Sequence, residues 1–317
     1  MPTSQSTSWN PTLYQLINRS LRIVGAYAST DNPRPEQQQD ALYALNGLIK
    51  SLQVEGFLWL KTFCTLFLNK GQVSYNLTDA AGFSHCATSY IETTTTADVA
   101  AGAGTVDLTS VTGMTDGDYI GICTDSGVIE WFTATFAGNT ATLSDVTTLI
   151  ASSGNVVYTH SAASQIRRPT RVFTAVRRLA SNTVSEQIEV PITLYSRDEY
   201  VSMPNKTVQG KPVQAFYDPQ LVTGMLYIWP TADTPNDKIV LTVDRPVQDM
   251  LADTDTFDFP QEWIDLLATG LAMKIAPEYG VALAERQILM QEYAAMKDAV
   301  GSYNRENAPT FIQRGYM

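Results

Sequence analysis

Apolar residues recur at helical spacing near both ends of the chain and at strand spacing through its middle. Leu13, Leu16, Ile17, Leu21 and Val24 fall on one helical face. Asn10-Pro11 ahead of them supplies a cap and a first-turn proline. Asp31-Asn32-Pro33 breaks the run, and Pro35-Glu36 opens a second helix with the stripe Ala41, Leu42, Leu45, Leu48, Ile49 and Leu52, ended by Gly56. The short connection predicts an antiparallel pair. Towards the other end, Asp258-Phe259-Pro260 opens a helix bearing Trp263, Leu267, Leu271 and Ile275. Ala276-Pro277-Glu278-Tyr279-Gly280 stops or kinks it, because proline removes a donor and crowds the preceding turn. A last helix carries Leu289, Tyr293, Met296 and Val300 and closes at Gly301. Neither pair can bury its stripe alone, so the two are expected to pack as one discontinuous helical bundle.

Between these ends the period drops to two. Phe63, Thr65, Phe67 and then Val73, Tyr75, Leu77 alternate around Asn69-Lys70-Gly71, which predicts a β-hairpin with Gly71 at the turn. Short alternating runs follow at Thr105 to Leu108, Tyr119 to Cys123, Val128 to Thr133, Thr140 to Leu143 and Val156 to Tyr158. They are separated by turns such as Thr115-Asp116-Gly117-Asp118, Asp125-Ser126-Gly127 and Ala137-Gly138-Asn139. No Lys or Arg occurs between Lys70 and Arg167, and Thr, Ala, Gly and Asp dominate, so residues 84–164 read as an inserted small all-β domain. Strand texture resumes at Val190 to Leu194, Met225 to Trp229 and Ile239 to Val243.

The expected class is therefore α+β: a discontinuous helical bundle, a central β-sandwich-like region and an inserted all-β domain. The boundaries are 1–60 and 255–301 for the bundle, 61–83 and 165–254 for the β region, 84–164 for the insert and 302–317 for a C-terminal arm. The arm has no helical stripe and mixes Arg305 and Arg314 with Phe311, Ile312 and Tyr316, the composition of a fraying tail or of a segment that orders on a partner.

Composition narrows the function classes. With 317 residues, 44% of them hydrophobic, the chain can build real cores. No window approaches a membrane span, and Met1 to Asn10 lacks the basic and apolar regions of a secretory signal, so folding in a cytoplasm without membrane contact is expected. Cys64, Cys86 and Cys123 have no metal-ligand spacing and read as free buried thiols. A net charge of −11 repels phosphate, which disfavours broad nucleic-acid binding but suits a passage through which DNA slides.

Catalytic chemistry is sparse. The phosphate-loop, nucleophile-elbow and zinc-protease patterns do not occur. Gly102-Ala103-Gly104 reads as a loop, and Asp116-Gly117-Asp118 lacks the downstream ligands of a calcium loop. His85 and His160 are the only histidines; Ser84 and Cys86 flank His85, but strand neighbours point to opposite faces. Glu92, Asp98 and Glu130 offer carboxylates for glycoside hydrolysis, with nothing to bring them together. No catalytic, cofactor or metal residue is therefore assigned. Arg167, Arg168, Arg171, Arg177 and Arg178 form a basic group after the insert; with few aromatics to stack bases, it reads as an interface with acidic residues of a neighbouring subunit or partner.

Three stretches, taken in order, resemble the head-to-tail adaptors of short-tailed bacteriophages, of the tail accessory factor or tail tubular protein A type. They are the paired N-terminal helices leading through Glu55-Gly56 to Lys70-Gly71-Gln72-Val73-Ser74-Tyr75-Asn76-Leu77; the run Ser196-Arg197-Asp198-Glu199-Tyr200, Gly210-Lys211-Pro212, Tyr217-Asp218-Pro219 and Leu226-Tyr227-Ile228-Trp229-Pro230; and Phe259-Pro260-Gln261-Glu262-Trp263 continuing to Leu271-Ala272 and Ile275 to Gly280. The resemblance covers most of the chain outside residues 84–164. It implies a non-enzymatic virion protein at the head–tail junction, a ring of about twelve copies closed by head-to-tail contacts. Its implied partners are the portal protein, the tail nozzle or tail tube protein, further copies of itself, and DNA passing through the lumen without specific binding; the insert, by its low charge and loop position alone, is expected to project outward towards a tail fibre or spike. It makes Arg305, Phe311, Ile312, Arg314 and Tyr316 the expected portal-docking residues. A tail-associated adhesion or glycan-binding module, and a tail-associated cell-wall hydrolase, are the competing readings.

Overall fold

The computed structural model describes residues 9–26, 33–54, 56, 58–78, 85–180, 188–252 and 254–303. The chain is α+β, and it divides into two compact units, Met1–Trp59 with Val247–Met317, and Leu60–Pro246. In chain order the elements are α1 (Leu13–Ile23), α2 (Pro35–Gln53), β1 (Lys61–Phe67), β2 (Ser74–Asn76), β3 (Cys86–Ala87), β4 (Ile91–Thr94), β5 (Thr105–Asp107) and β6 (Tyr119–Cys123). Next come β7 (Ile129–Ala137), β8 (Thr140–Leu143), β9 (Val156–His160), β10 (Arg171–Arg178), β11 (Glu189–Leu194) and α3 (Arg197–Val201). The last are β12 (Gln209–Gly210), β13 (Gln214–Pro219), β14 (Gly224–Trp229), β15 (Thr231–Ala232), β16 (Lys238–Asp244), α4 (Ile264–Ile275) and α5 (Leu283–Tyr303).

The helical unit is organised by α4. Nine of its twelve residues are buried, and it packs against α1, α2 and α5, with Asp265 and Lys274 exposed. Gly270 sets how close they come: a Cβ there would meet Tyr293 at 2.7 Å and Leu48 at 2.9 Å. Ser20 of α1 donates to the Ala268 carbonyl at 2.9 Å. Asn46 of α2 brackets the Met250 backbone, donating to its carbonyl at 2.9 Å and accepting from its N–H at 3.1 Å. Leu13, Leu16, Ile17 and Leu21 of the α1 stripe are buried as expected, while Val24 is the partly buried C-cap, and the helix starts later than Asn10-Pro11 suggests. Thr12 is the cap, because Thr12 and Gln15 satisfy each other's backbone donors as a capping box. The last helix runs past Gly301 to Tyr303.

In the second unit eight strands follow the order β2-β14-β13-β11-β10-β16-β1-β3, and the sheet is curled. Its inner face holds Cys64, Leu66, Tyr75, Leu77, Leu226, Ile228, Leu241 and Val243 in one cluster, so residues from both ends of the strand order meet. That geometry overturns the expected hairpin. β1 pairs with β16 and β3, and β2 pairs with β14, close to the opposite edge. Gly71 does take a positive φ of 75°, but its turn carries the chain across the inside of the curl instead of back along β1. Tyr75 locks the crossing: its hydroxyl accepts from the Asn69 N–H at 2.8 Å and donates to the Asn69 carbonyl at 3.1 Å.

The insert is a six-stranded antiparallel sheet of order β4-β9-β6-β7-β8-β5; five strands lie where the alternation predicts them, β7 runs on to Ala137, and the alternation does not predict β4 at Ile91–Thr94. Its own core gathers Val106, Leu108, Ile120, Ile122, Ala141 and Val157. Cys86 and Ala87, expected at the start of the insert, belong instead to the main sheet as β3. The joint between the two sheets is aromatic. Phe67 of β1 is fully buried, stacked on Tyr158 at 4.6 Å and in edge or tilted contact with Tyr90 at 5.2 Å and Trp131 at 5.4 Å. Gly121 opposite Trp131 makes room for the indole, since a Cβ there would sit 2.8 Å from three ring carbons. Asn69 accepts from the Ile129 N–H at 2.8 Å, and the Lys70 N–H donates to the Gly127 carbonyl at 2.8 Å.

Candidate functional site

The outer face of the main sheet follows from register. On β1 the even positions Cys64 and Leu66 point into the core, so Lys61, Phe63, Thr65 and Phe67 share the other face. Pairing lines them up in rows across β1, β16 and β10: Lys61, Asp244, Arg171; then Phe63, Thr242, Thr174; then Thr65, Val240, Val176; then Phe67, Lys238, Arg178. The last row lies at the insert joint. There Lys238 is almost fully buried, pairs with Glu92 at 2.8 Å and lies over the rings of Tyr158 and Tyr90 at 5.1 and 5.8 Å. The middle rows floor an open groove of about 590 Å³, walled by Thr88, Ser89 and Tyr90 on one side. Arg178 and Glu189 also line it, and the first row lies outside that lining. Lys61 and Arg171 lie over Phe173 at 4.8 and 6.0 Å, and Phe63 stands 68% exposed. Burial raises the Asp244 carboxyl above its usual range, against the opposing pull of Lys61 and Arg171.

The five arginines after the insert do not form one surface. Arg167 and Arg171 are exposed, and Arg168 is partly buried and donates to the Gln220 carbonyl at 3.3 Å. Arg177 faces inward and is buried near Asp237, at 3.9 Å; Asp237 also meets Lys211 at 3.3 Å. Arg178, its neighbour on the strand, faces the other way and pairs with Glu189 at 2.7 Å. Strand alternation, not visible in a list of basic residues, separates them. Arg305, Phe311, Ile312, Arg314 and Tyr316 lie outside the described residues.

The carboxylates considered for hydrolysis are each tied to local partners. Glu92 holds Lys238, Asp98 accepts from the Ser153 N–H at 2.8 Å, and Glu130 accepts from the Thr148 N–H at 3.1 Å and from its hydroxyl. Asp118 accepts from the Thr115 N–H at 2.9 Å and Asp116 from the Phe136 N–H at 2.8 Å, the pattern of a stapled turn. Burial lowers the His85 pKa to about 4, helped by His160, and burial lowers His160 as well; Ser84 lies outside the described residues. Cys64, Cys86 and Cys123 are free and buried, and burial pushes the Cys123 thiol up to about 12. Among the described residues no group of His, Cys, Asp and Glu is arranged to hold a metal ion, and no helix is long and apolar enough to cross a membrane.

The middle run of motifs converges. Ser196 caps α3 through a capping box with Glu199, which places Tyr200 against Phe216 at 5.5 Å and Tyr227 at 5.2 Å. Arg197 pairs with Asp218 and lies 5.6 Å from the centre of the Phe216 ring. Trp229 donates to the Asn205 carbonyl at 2.7 Å. Lys211 joins Asp233 at 3.1 Å and Asp237 at 3.3 Å. Residues spread over 196–237 thus build one buttress on β13 and β14. Sequence reading missed Lys61, Phe63, Phe173 and Lys238; the signal was there in the odd-numbered positions of β1, once the even ones are taken as core. No protein-family model matches the chain, and no curated protein matches it.

Proposed function

We propose that the protein is a head-to-tail adaptor of a tailed bacteriophage, a non-enzymatic subunit of a ring that joins the portal to the tail and continues the DNA channel. The observation that carries this reading is the resemblance of the ordered motifs, strengthened by what those residues do. Ser196 to Tyr200, Tyr217-Asp218-Pro219 and Leu226 to Trp229 make one buttress, and the paired N-terminal helices and the C-terminal motif belong to one helical unit around α4, while Lys70 to Leu77 belong to the β unit. Residues kept in order along a chain and joined in space are what a shared architecture requires. In this reading the two pairs of helices form the adaptor's bundle, and the curled sheet is its sandwich-like β region.

The surface chemistry suits the role. Net charge of −11 keeps DNA phosphate from adhering while it passes. Residues 302–317 serve as the docking arm for the portal, through Arg305, Phe311, Ile312, Arg314 and Tyr316. The test is assembly. Mixing the purified chain with purified portal rings, and imaging by electron microscopy, is expected to give a second ring stacked on the first. Absence of a stacked ring, or portal binding unchanged on deletion of 302–317, sinks the reading. Binding of the full chain to glycan, or turnover of peptidoglycan, would replace it with adhesion or hydrolysis.

A further inference from the structure

We propose that residues 304–317, before a portal takes them, lie back along the outer face of α5 in the same chain. The inference rests on the reading of this segment as the portal-docking arm, and adds where the arm is held until then.

α5 packs by one side only. Among residues 283–302, Leu289 alone is buried, and Tyr293, one turn on, packs over Gly270 of α4. On the far side Leu283, Met290 and Ala294 make one exposed row and Ile288 and Ala295 the next, with Gln287 and Gln291 among them. Leu283 is 64%, Ile288 55% and Met290 57% exposed, large apolar side chains gathered within two turns of helix. The exposed charges of the same helix are all acidic: Glu285, Glu292 and Asp298. Its two cations, Arg286 and Lys297, are partly buried.

The arm has the composition that complements this face. It begins where α5 ends, and Pro309 stops it from continuing the helix, since the proline ring biases Ala308 towards extended backbone. Phe311 is eight residues beyond Tyr303, a reach of about 26 Å at strand rise. Ile288 lies fifteen residues back, about 22 Å at helical rise. A reversal at the helix end therefore brings Phe311 and Ile312 level with Ile288 and Met290, and carries Arg314 towards Glu285 and Tyr316 towards Leu283. The polar stretch Asn304 to Asn307 crosses Ala299 and Ala295, where there is little side chain to cover. Arg305 and Arg314 against Glu306 give the arm a positive balance, opposite in sign to the exposed charges of α5. The tether selects the occupant. A segment joined to the helix it covers is present at about millimolar effective concentration, which a second copy must match in bulk.

Two tests need only the full chain. Trypsin should cut after Arg305 and Arg314 slowly, and about tenfold faster or more once Leu283→Ser and Ile288→Ser together remove the apolar face. Both positions are exposed, so circular dichroism and melting should not change. Ile288→Cys with Ile312→Cys should close a disulfide within one copy under mild oxidation, seen as a faster-running monomer on a non-reducing gel; the native Cys64, Cys86 and Cys123 are buried. A third test adds purified portal rings. Because a parked arm competes with the portal, the double serine variant should bind about threefold tighter or more than the unaltered chain. Cleavage as fast in the unaltered chain as in the variant, a disulfide that forms between copies or not at all, or portal binding that the variant does not tighten overturns the parked arm. None of these results touches the adaptor reading, which stands or falls on portal binding by the unaltered chain and its loss when the arm is deleted.

Discussion

Replacing Phe67 by alanine removes the ring that joins the two sheets. Phe67 belongs by backbone to β1, but its side chain is fully buried among insert residues: Tyr158 at 4.6 Å, Tyr90 at 5.2 Å and Trp131 at 5.4 Å. Truncating a buried phenylalanine costs about 3–5 kcal/mol in transfer and cavity terms. Surrounding rings that are themselves tied down cannot collapse into the gap, and each lost aromatic pair adds about 0.5–1.5 kcal/mol. The expected loss is therefore in the upper part of that range, about 4–5 kcal/mol, a large share of the about 5–15 kcal/mol that holds a domain. Phe63→Ala is the internal control, on the same strand and face but 68% exposed, and should stay within about 0.5 kcal/mol. Urea unfolding followed by tryptophan fluorescence and far-ultraviolet circular dichroism measures both. A Phe67→Ala cost under about 1 kcal/mol, or equal costs at 63 and 67, would refute the account of the joint.

Three further outcomes follow from burial. Gly270→Ala gains about 1 kcal/mol of helix propensity, but its Cβ meets Tyr293 and Leu48 at under 3.0 Å, so a lower melting temperature is expected; a rise would show that the helices can part freely. At the Lys238–Glu92 pair, side-chain exposures of 7% and 43% predict asymmetry: Glu92→Leu strands a buried ammonium and costs about 3 kcal/mol, whereas Lys238→Met leaves a carboxylate that water can reach and costs under about 1 kcal/mol. Equal costs in chemical denaturation would contradict this. With His85 lowered to about 4, the unfolded chain holds more protons between about pH 6.5 and 4, so stability is full above that window and falls as pH drops through it. His85 alone accounts for about 3 kcal/mol by pH 4, and His160 acts in the same direction. Unfolding free energies that stay flat from pH 7 to 4.5, or a slope that His85→Gln leaves untouched, would count against it.

Periodicity made the elements legible because each strand and helix buries one face. Leu13, Leu16, Ile17 and Leu21 are all buried on α1, and the insert strands end at the Gly117, Gly127 and Gly138 turns that the sequence marks. Pairing was not legible. The run from Phe63 to Leu77 has the spacing of a hairpin, yet Phe63, Thr65 and Phe67 lie on the outer face while Tyr75 and Leu77 lie in the core. Alternation says which residues share a face; it does not say which strand lies alongside, and here the partner of β1 is 183 positions away at the Lys61–Asp244 pair and 171 at the Phe67–Lys238 pair. The basic group failed to hold together for a related reason. Arg177 and Arg178 are chain neighbours, and adjacent strand positions face apart.

The acidic net charge also conceals more than it tells. A value of −11 supports low affinity for phosphate only if the charge is spread, and in the second unit it is not. The charged residues of the insert are all anionic, while the rest of that unit has an excess of cations. Lys238 already shows how such an excess is resolved within one copy, by drawing Glu92 of the insert onto a buried cation of the sheet. At the other end of the same β1–β16–β10 face Lys61 and Arg171 flank Asp244, so there the sheet balances its cations with a carboxylate of its own, and the insert is called on only where the cation is buried.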